Sequence, residues 1–399
     1  MTGVSTLGQA LRQIENLNLQ QTSLAKLSTQ LATGKKSQSY SGLSTDALSS
    51  VRSRTELSSI EVYINNIKRA NTTIGLTLNA VEEFQAQSGE FSNTLVNFLQ
   101  EGDHLLGEDV FYDDPATPED DAIKVGKTSS KVDTDFQAVI NHAENLFGFF
   151  GELLNTQEGD RYLLAGADSL NKPFNDTGTL DTAISTLLTD WKNGSITTDD
   201  LLADLFDGTA LNGNTNAITD ATIGFSSTLS SNQAGDVFVR ADENSEFEYT
   251  TLANDDSFRD IMVIMAVMKN ENFSPIVDVY ENGTYPGVPD AKGAPGTTAK
   301  EQQDSFYELY NAMTKRASAA IDEIDQTRFD LETVRVQMNE TKESHVDQQE
   351  LLFTTVSDIE NVDTNEVAVR ITTLQTQLQA SYNVTAITQQ LTLANYLAR

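Results

Sequence analysis

Three histidines, His104, His142 and His345, are the only imidazoles in this chain, and they lie too far apart in sequence to suggest one ligand cluster. There is no cysteine, so disulfides, thiolate catalysis and thiolate-bound zinc are excluded. Carboxylates are plentiful, with 59 Asp and Glu against 26 Lys and Arg. Adjacent acids such as Asp199-Asp200 and Asp255-Asp256 are the residue type that glycoside hydrolysis uses in pairs. Among 59 acids such neighbours arise by chance, so they are weak evidence for catalysis. The stretch Asn212-Gly213-Asn214-Thr215-Asn216 alternates oxygen donors as calcium loops do. It lacks the glycine and the closing acid that such loops place at their sixth and twelfth positions, and it reads as a turn. No Gly-rich phosphate loop, His-Glu-x-x-His helix or Gly-x-Ser-x-Gly elbow is present. The expectation is a protein that is not an enzyme and uses no cofactor and no metal.

Charge narrows the classes further. A net charge of −33 disfavours nucleic-acid binding, which needs a basic footprint against phosphates, and docking on an anionic membrane. No run approaches the ~20 apolar residues of a membrane span, and the first thirty residues carry only spaced leucines, not the apolar stretch of a cleaved signal peptide. Trp191, the single tryptophan, is expected in the core of the central region.

The elements that would position any site differ between the ends and the middle. All seven prolines lie between Pro115 and Pro295, which leaves both ends free to form long helices. In the first segment Ala10, Leu17, Leu24 and Leu31 share one heptad position, and Leu7 and Ile14 share the partner position, followed there by Gln21 and Ser28. Gly34 predicts the end of that helix. Residues 37–42 read as a loop, and Ser44-Thr45-Asp46 are suited to start a second helix. That helix carries Leu57, Ile60, Ile64, Ile67, Ile74, Leu78, Val81 and Phe84 at helical spacing and is expected to run to about Leu99. Toward the other end, Phe306, Leu309, Met313, Ala317, Ala320, Ile324, Thr327, Leu331, Val334 and Met338 continue a three/four spacing. The pattern returns with Val367, Ile371, Leu374 and Leu378, shifts phase near Tyr382, and resumes with Val384, Ile387 and Leu391.

From Ile371 to Ala398 there is no charged side chain. A coiled coil facing water normally carries Glu and Lys beside its seam, so this helix is suited to being surrounded by protein. The middle is different. Residues 101–300 hold 36 acids and 11 bases. Short β-like runs occur at 237–240 and 247–250, and Asp256-Ser257 precede an apolar helix through Ile261, Met262, Met265 and Met268. Residues 283–298 form a Gly/Pro-rich exit. The fold class expected is mainly α: a long helical coiled-coil rod formed by the N- and C-terminal segments, with an inserted α+β domain.

Several segments resemble the bacterial flagellin family. Leu31-Ala32-Thr33-Gly34-Lys35-Lys36 resembles the family's turn at the end of its first helix. Ile359-Glu360-Asn361-Val362-Asp363 is similar to its step into the last helix. Asn155-Thr156-Gln157, followed by Gly159-Asp160-Arg161-Tyr162-Leu163-Leu164-Ala165-Gly166, then Pro173-Phe174 and the ending Asn395-Tyr396-Leu397, are also similar to segments of that family. The resemblance covers residues 1–175 and 300–399. It implies a structural subunit of the flagellum, extracellular, exported through the flagellar apparatus with an uncleaved signal and an export chaperone. Its partners would be further copies of itself and neighbouring flagellar axial proteins, with no nucleic acid and no membrane insertion. It implies three parts: residues 1–43 with 356–399 as a terminal helical assembly domain, 44–167 with 298–355 as a helical rod domain, and 168–297 as an inserted acidic α+β domain. The assembly interface would then be carried by Leu7, Ile14, Leu17, Leu24, Leu31, Val367, Ile371, Leu374, Leu378, Ile387 and Leu391. Each buried Leu or Ile contributes roughly 1.5–3 kcal/mol against an ordering cost of ~1–2 kcal/mol per residue, so such helices need neighbours on more than one face. A secreted helical adhesin and an enzyme housed in the insertion are the alternatives from other classes.

Overall fold

The computed structural model describes residues 3–105, 130–192, 195–207, 217–271, 279–280, 295–296 and 299–397. The chain is mainly α. Helix α1 (Gly3–Thr33) leads through a 3-10 segment (Tyr40–Asp46) into α2 (Ala47–Leu105), and α3 (Ser130–Leu154) follows. Strands β1 (Gln157–Glu158) and β2 (Arg161–Tyr162) precede α4 (Thr179–Lys192), α5 (Thr198–Phe206), α6 (Asp220–Ile223) and α7 (Ser227–Ser230). Then come β3 (Phe238–Arg240), β4 (Glu246–Glu248), α8 (Asp256–Asn270), β5 (Val279–Tyr280) and β6 (Pro295–Gly296), and last α9 (Ala299–Glu360) and α10 (Thr364–Leu397). The strands form three antiparallel pairs, β1–β2, β3–β4 and β5–β6. Of the exit expected over residues 283–298, only Pro295–Gly296 is described, paired with Val279–Tyr280; residues 212–216 lie outside the described residues.

The chain divides into two compact units, Met1–Asn65 with Thr341–Arg399, and Asn66–Glu340. The second unit carries the larger core. The stripe from Ile67 through Ile74, Leu78, Val81 and Phe84 is buried as its spacing predicts, and so are Phe306, Leu309, Met313, Ala317, Ala320, Ile324, Leu331 and Met338. Thr327 and Val334, on the same face, are half-buried. Helix α3 adds Val139, Ala143, Phe147, Phe150 and Leu154 at the same period. Phe84 stacks on Phe150 at 4.1 Å and meets Phe258 edge-on at 5.0 Å. Helix α8 is buried from Ile261 to Met268 without a break, as a helix apolar on every side must be. It packs on α3 and α4. Trp191 is fully buried in this core, and its indole N–H donates to Thr198 Oγ1 at 3.1 Å.

The acid pairs have structural places. Asp200 closes a capping box with Thr197 at the start of α5, which satisfies free backbone N–H groups there. Asp255 and Asp256 stand at the start of α8, where Asp255 Oδ2 accepts from Leu252 N–H at 3.1 Å. The segment from Asn155 to Gly166 is a clamp at the end of α3. The Asn155 amide donates to Gly151 O and Phe174 O and accepts from Phe174 N–H. Gly166 has φ +63, and a Cβ there would meet Gly235 O at 2.6 Å, so the close backbone approach and the left-handed conformation both require glycine.

Candidate assembly surface

The first unit is built around a joint between two helix ends. Helix α1 stops at Gly34, whose φ of +68 is the left-handed conformation that glycine takes without penalty. The chain then pairs with the step between α9 and α10. Lys36 N–H donates to Glu360 O at 2.7 Å, and Val362 N–H donates to Gly34 O at 2.9 Å. Glu360 is buried and holds the joint with its side chain. Its carboxylate accepts from Arg54 Nε and Nη2, both at 2.6 Å, from Ser50 Oγ at 2.6 Å and from Lys35 Nζ at 2.9 Å. The Arg54 guanidinium holds the carboxyl well below the ordinary carboxylate range, and the Ser50 and Lys35 hydrogen bonds add to this. All three partners come from the turn and the second helix, more than 300 residues earlier in the chain. The sequence displayed Glu360 as part of a motif, but not this role.

Beyond the joint, α1 and α10 pair in antiparallel fashion. Ser50, Ser53 and Ile60 of α2 and His345 and Val356 of α9 are buried in the same unit, and His345 stacks on Tyr63 at 5.7 Å. On α10 the covered stripe is Val367, Ile371, Leu374 and Leu378, followed by Ser381 and Thr385. On α1 it is Gln13, Leu17, Gln20, Leu24 and Leu27, each half-buried. Gln13 Nε2 donates to Thr385 Oγ1 at 3.0 Å, and Gln21 Nε2 donates to the Tyr382 hydroxyl at 2.7 Å.

The register differs from the sequence reading at two points. The position beside Leu17 and Leu24 is occupied by Gln13, Gln20 and Leu27, not by Ile14, Gln21 and Ser28. The stripe of α10 does not shift phase near Tyr382; it continues in phase through Ser381 and Thr385. The reason is polar pairing. The Gln13 amide and the Thr385 hydroxyl pair across the two helices, so the seam need not follow the apolar residues to its end. Ile14 and Ile387 are left 54% and 56% exposed. Leu31, next to the Gly34 turn, is also exposed, while the side chains of Leu7 and Leu391 lie outside the described residues. At about 100° per residue Val369 and Ile387 fall on the far side of α10 and Val384 on the flank beside it, and all three are exposed. The helix therefore has one covered apolar stripe and one open one, and no charge on either from Ile371 onward. A second open set lies on the α2 and α9 segments of this unit, where Leu48, Val51, Val62, Val346, Leu351 and Phe353 are exposed.

Chemistry of other kinds finds little support. His142 lies edge-on to Phe91 at 5.6 Å, and the His104 side chain lies outside the described residues. Among the described residues no three His, Asp or Glu side chains are grouped to hold a metal, and no helix is long and apolar enough to cross a membrane.

In comparison with known proteins, residues 314–397, most of α9 with α10, match the model of the bacterial flagellin C-terminal helical region. No curated protein matches the chain. Among solved structures, a Vibrio parahaemolyticus protein described as a flagellar hook-associated protein aligns at 10% identity and a TM-score of 0.40, over 79% of this chain and 97% of that one.

Proposed function

We propose that this chain is a structural subunit of the bacterial flagellar axial structure, of the hook–filament junction type, and that it polymerises through its terminal helices. The observation that carries the reading is the second, uncovered apolar stripe of α10, inside a segment that matches the flagellin C-terminal helical region. Leaving Val369, Val384 and Ile387 in water is unfavourable; they are 66%, 54% and 56% exposed, and each gains roughly 1–2 kcal/mol when neighbours cover the rest. An uncharged stripe has no like-charge repulsion to overcome when copies of the same chain meet. In this reading Leu17, Leu24, Val367, Ile371, Leu374 and Leu378 hold the two terminal helices together within a subunit. Ile14, Ile387 and the flanking Leu7 and Leu391 contribute to contacts between subunits.

The junction role rests on the resemblance of the Asn155–Gly166 segment and of the ending Asn395-Tyr396-Leu397 to hook–filament junction subunits. The final Ala398-Arg399, similar to filament flagellins, favours the second reading, a filament-forming subunit. Export through the flagellar apparatus with a chaperone, and an extracellular location on the flagellum, belong to the same proposal. Deleting the gene in the organism that encodes the chain tests it. A junction role predicts hooks without attached filaments and flagellin released into the medium. Unchanged motility would contradict both flagellar readings.

A further inference from the structure

The second unit contains a cleft of about 380 Å³ that the assembly reading does not use. It lies between the β1–β2 turn, the segment around β3 and β4, and the Thr73–Thr77 face of α2. Its walls carry Glu158, Arg161, Tyr162, Asp236, Tyr249 and Thr251. Glu158 is held in place, since its Oε2 accepts from Thr73 Oγ1 at 2.6 Å. Burial, and then the charge of Glu158, push the Tyr249 phenol above its ordinary range, with Arg161 acting the other way. Thr251 supplies an independent observation. It is only 5% exposed, it lines the cleft, and its Oγ1 has no hydrogen-bond partner among the described residues. A buried hydroxyl without a partner costs about 1–3 kcal/mol, and a ligand hydroxyl in the cleft that Thr251 lines would relieve that cost.

We propose that this cleft binds a neutral sugar, as the terminal residue of a glycan. Two carboxylates disfavour an anion, and Arg161 disfavours a simple cation. An apolar ligand would leave Thr251, Glu158 and Arg161 dry and unpaired. A pyranose meets each requirement. Its hydroxyls donate to Glu158 and Asp236, accept from Arg161 and Thr251, and its C–H face lies against the rings of Tyr162 and Tyr249. The volume is at the low end for small-molecule sites, which run from about 300 to 1,000 Å³, and suits a single ring.

The test is saturation-transfer NMR on the full chain with the methyl glycosides of glucose, galactose, mannose and N-acetylglucosamine, and with acetate and ethylammonium as charged comparators. The expected result is transfer to at least one glycoside and to neither charged probe. Thr251→Val, which keeps the shape of the side chain, should weaken that glycoside about fivefold while leaving the unfolding temperature equal or higher. Arg161→Ala, at an exposed position, should weaken it by at least as much. Transfer to no glycoside would overturn the proposal, and so would transfer that neither variant changes. Binding of a free reducing sugar but not of its methyl glycoside would overturn the glycan terminus as the source.

Discussion

Replacing Glu360 by alanine removes one side chain and four hydrogen bonds at once, two to Arg54 and one each to Ser50 and Lys35. Breaking a buried ion pair by deleting one partner costs about 3–5 kcal/mol when the other charge stays enclosed. Here Arg54 and Lys35 are 46% and 44% exposed, so water takes over most of their solvation and their share is small. Ser50 is fully buried and loses its acceptor, which costs about 1–3 kcal/mol. The expected loss is about 2 kcal/mol, confined to the joint. Hydrogen exchange reads it at the Lys36 and Val362 amides, which bond across the joint to Glu360 O and Gly34 O. At about 1.4 kcal/mol per factor of ten, both should exchange roughly 30-fold faster, while amides of α8 in the other unit keep their rates. Glu360→Gln retains an acceptor oxygen and should fall between. Unchanged exchange at both amides in the alanine variant would refute the reasoning, and equal acceleration in α8 would show that the effect is not local.

Acid acts on the same joint with a definite sign. The Glu360 carboxyl is held below its ordinary value of 4.5, so its contribution is present above that pH and is lost as pH falls further; the two joint amides should lose protection in acid before α8 does. Asp255 runs the other way. Burial pushes its carboxyl up from 3.8 to about 6, so the stability it contributes falls as pH rises between those values. The unfolding temperature of Asp255→Asn should therefore match or exceed that of the wild type at pH 7, and a more stable wild type there would contradict the assignment. The two stripes of α10 should separate by phenotype. Leu378→Asp buries a carboxylate in the covered stripe and should loosen α1 and α10 in the monomer by several kcal/mol, seen as faster amide exchange. Ile387→Asp, on the open stripe, should leave monomer exchange unchanged and abolish self-association in sedimentation; a variant that still assembles would remove Ile387 from the interface.

Much of the helical framework was legible because its period is strict. Phe306 to Met338 recur at three or four residues, Leu57 to Phe84 at three, four or seven, and the structure buries or half-buries each of them. Gly34 and the apolar run at Ile261–Met268 were legible for equally local reasons, a left-handed turn and a helix with no polar face. The seam of α1 was less so. Leu17 and Leu24 have Ile14 on one side and Gln13 and Gln20 on the other, and hydrophobic counting favours isoleucine. The partner decided instead at Gln13, because Thr385 of α10 offers it a hydrogen bond. Helices α3, α4 and α5 pack in the core of the second unit, yet α3 follows an acidic, proline-containing stretch that hid its stripe. Glu360 gathers partners from Lys35, Ser50 and Arg54, and Thr251 opens onto a cleft built by segments scattered from Thr73 to Tyr249. Neither arrangement has a spacing that a linear reading could detect.

Immunogold electron microscopy of intact flagella, with antibody raised against the full chain, tests the central claim most directly. The account predicts label on the flagellum, in a single short band where hook meets filament. Label along the whole filament would assign the filament-forming role instead. Flagella without label, from cells that express the chain, would contradict the claim that it is a flagellar subunit.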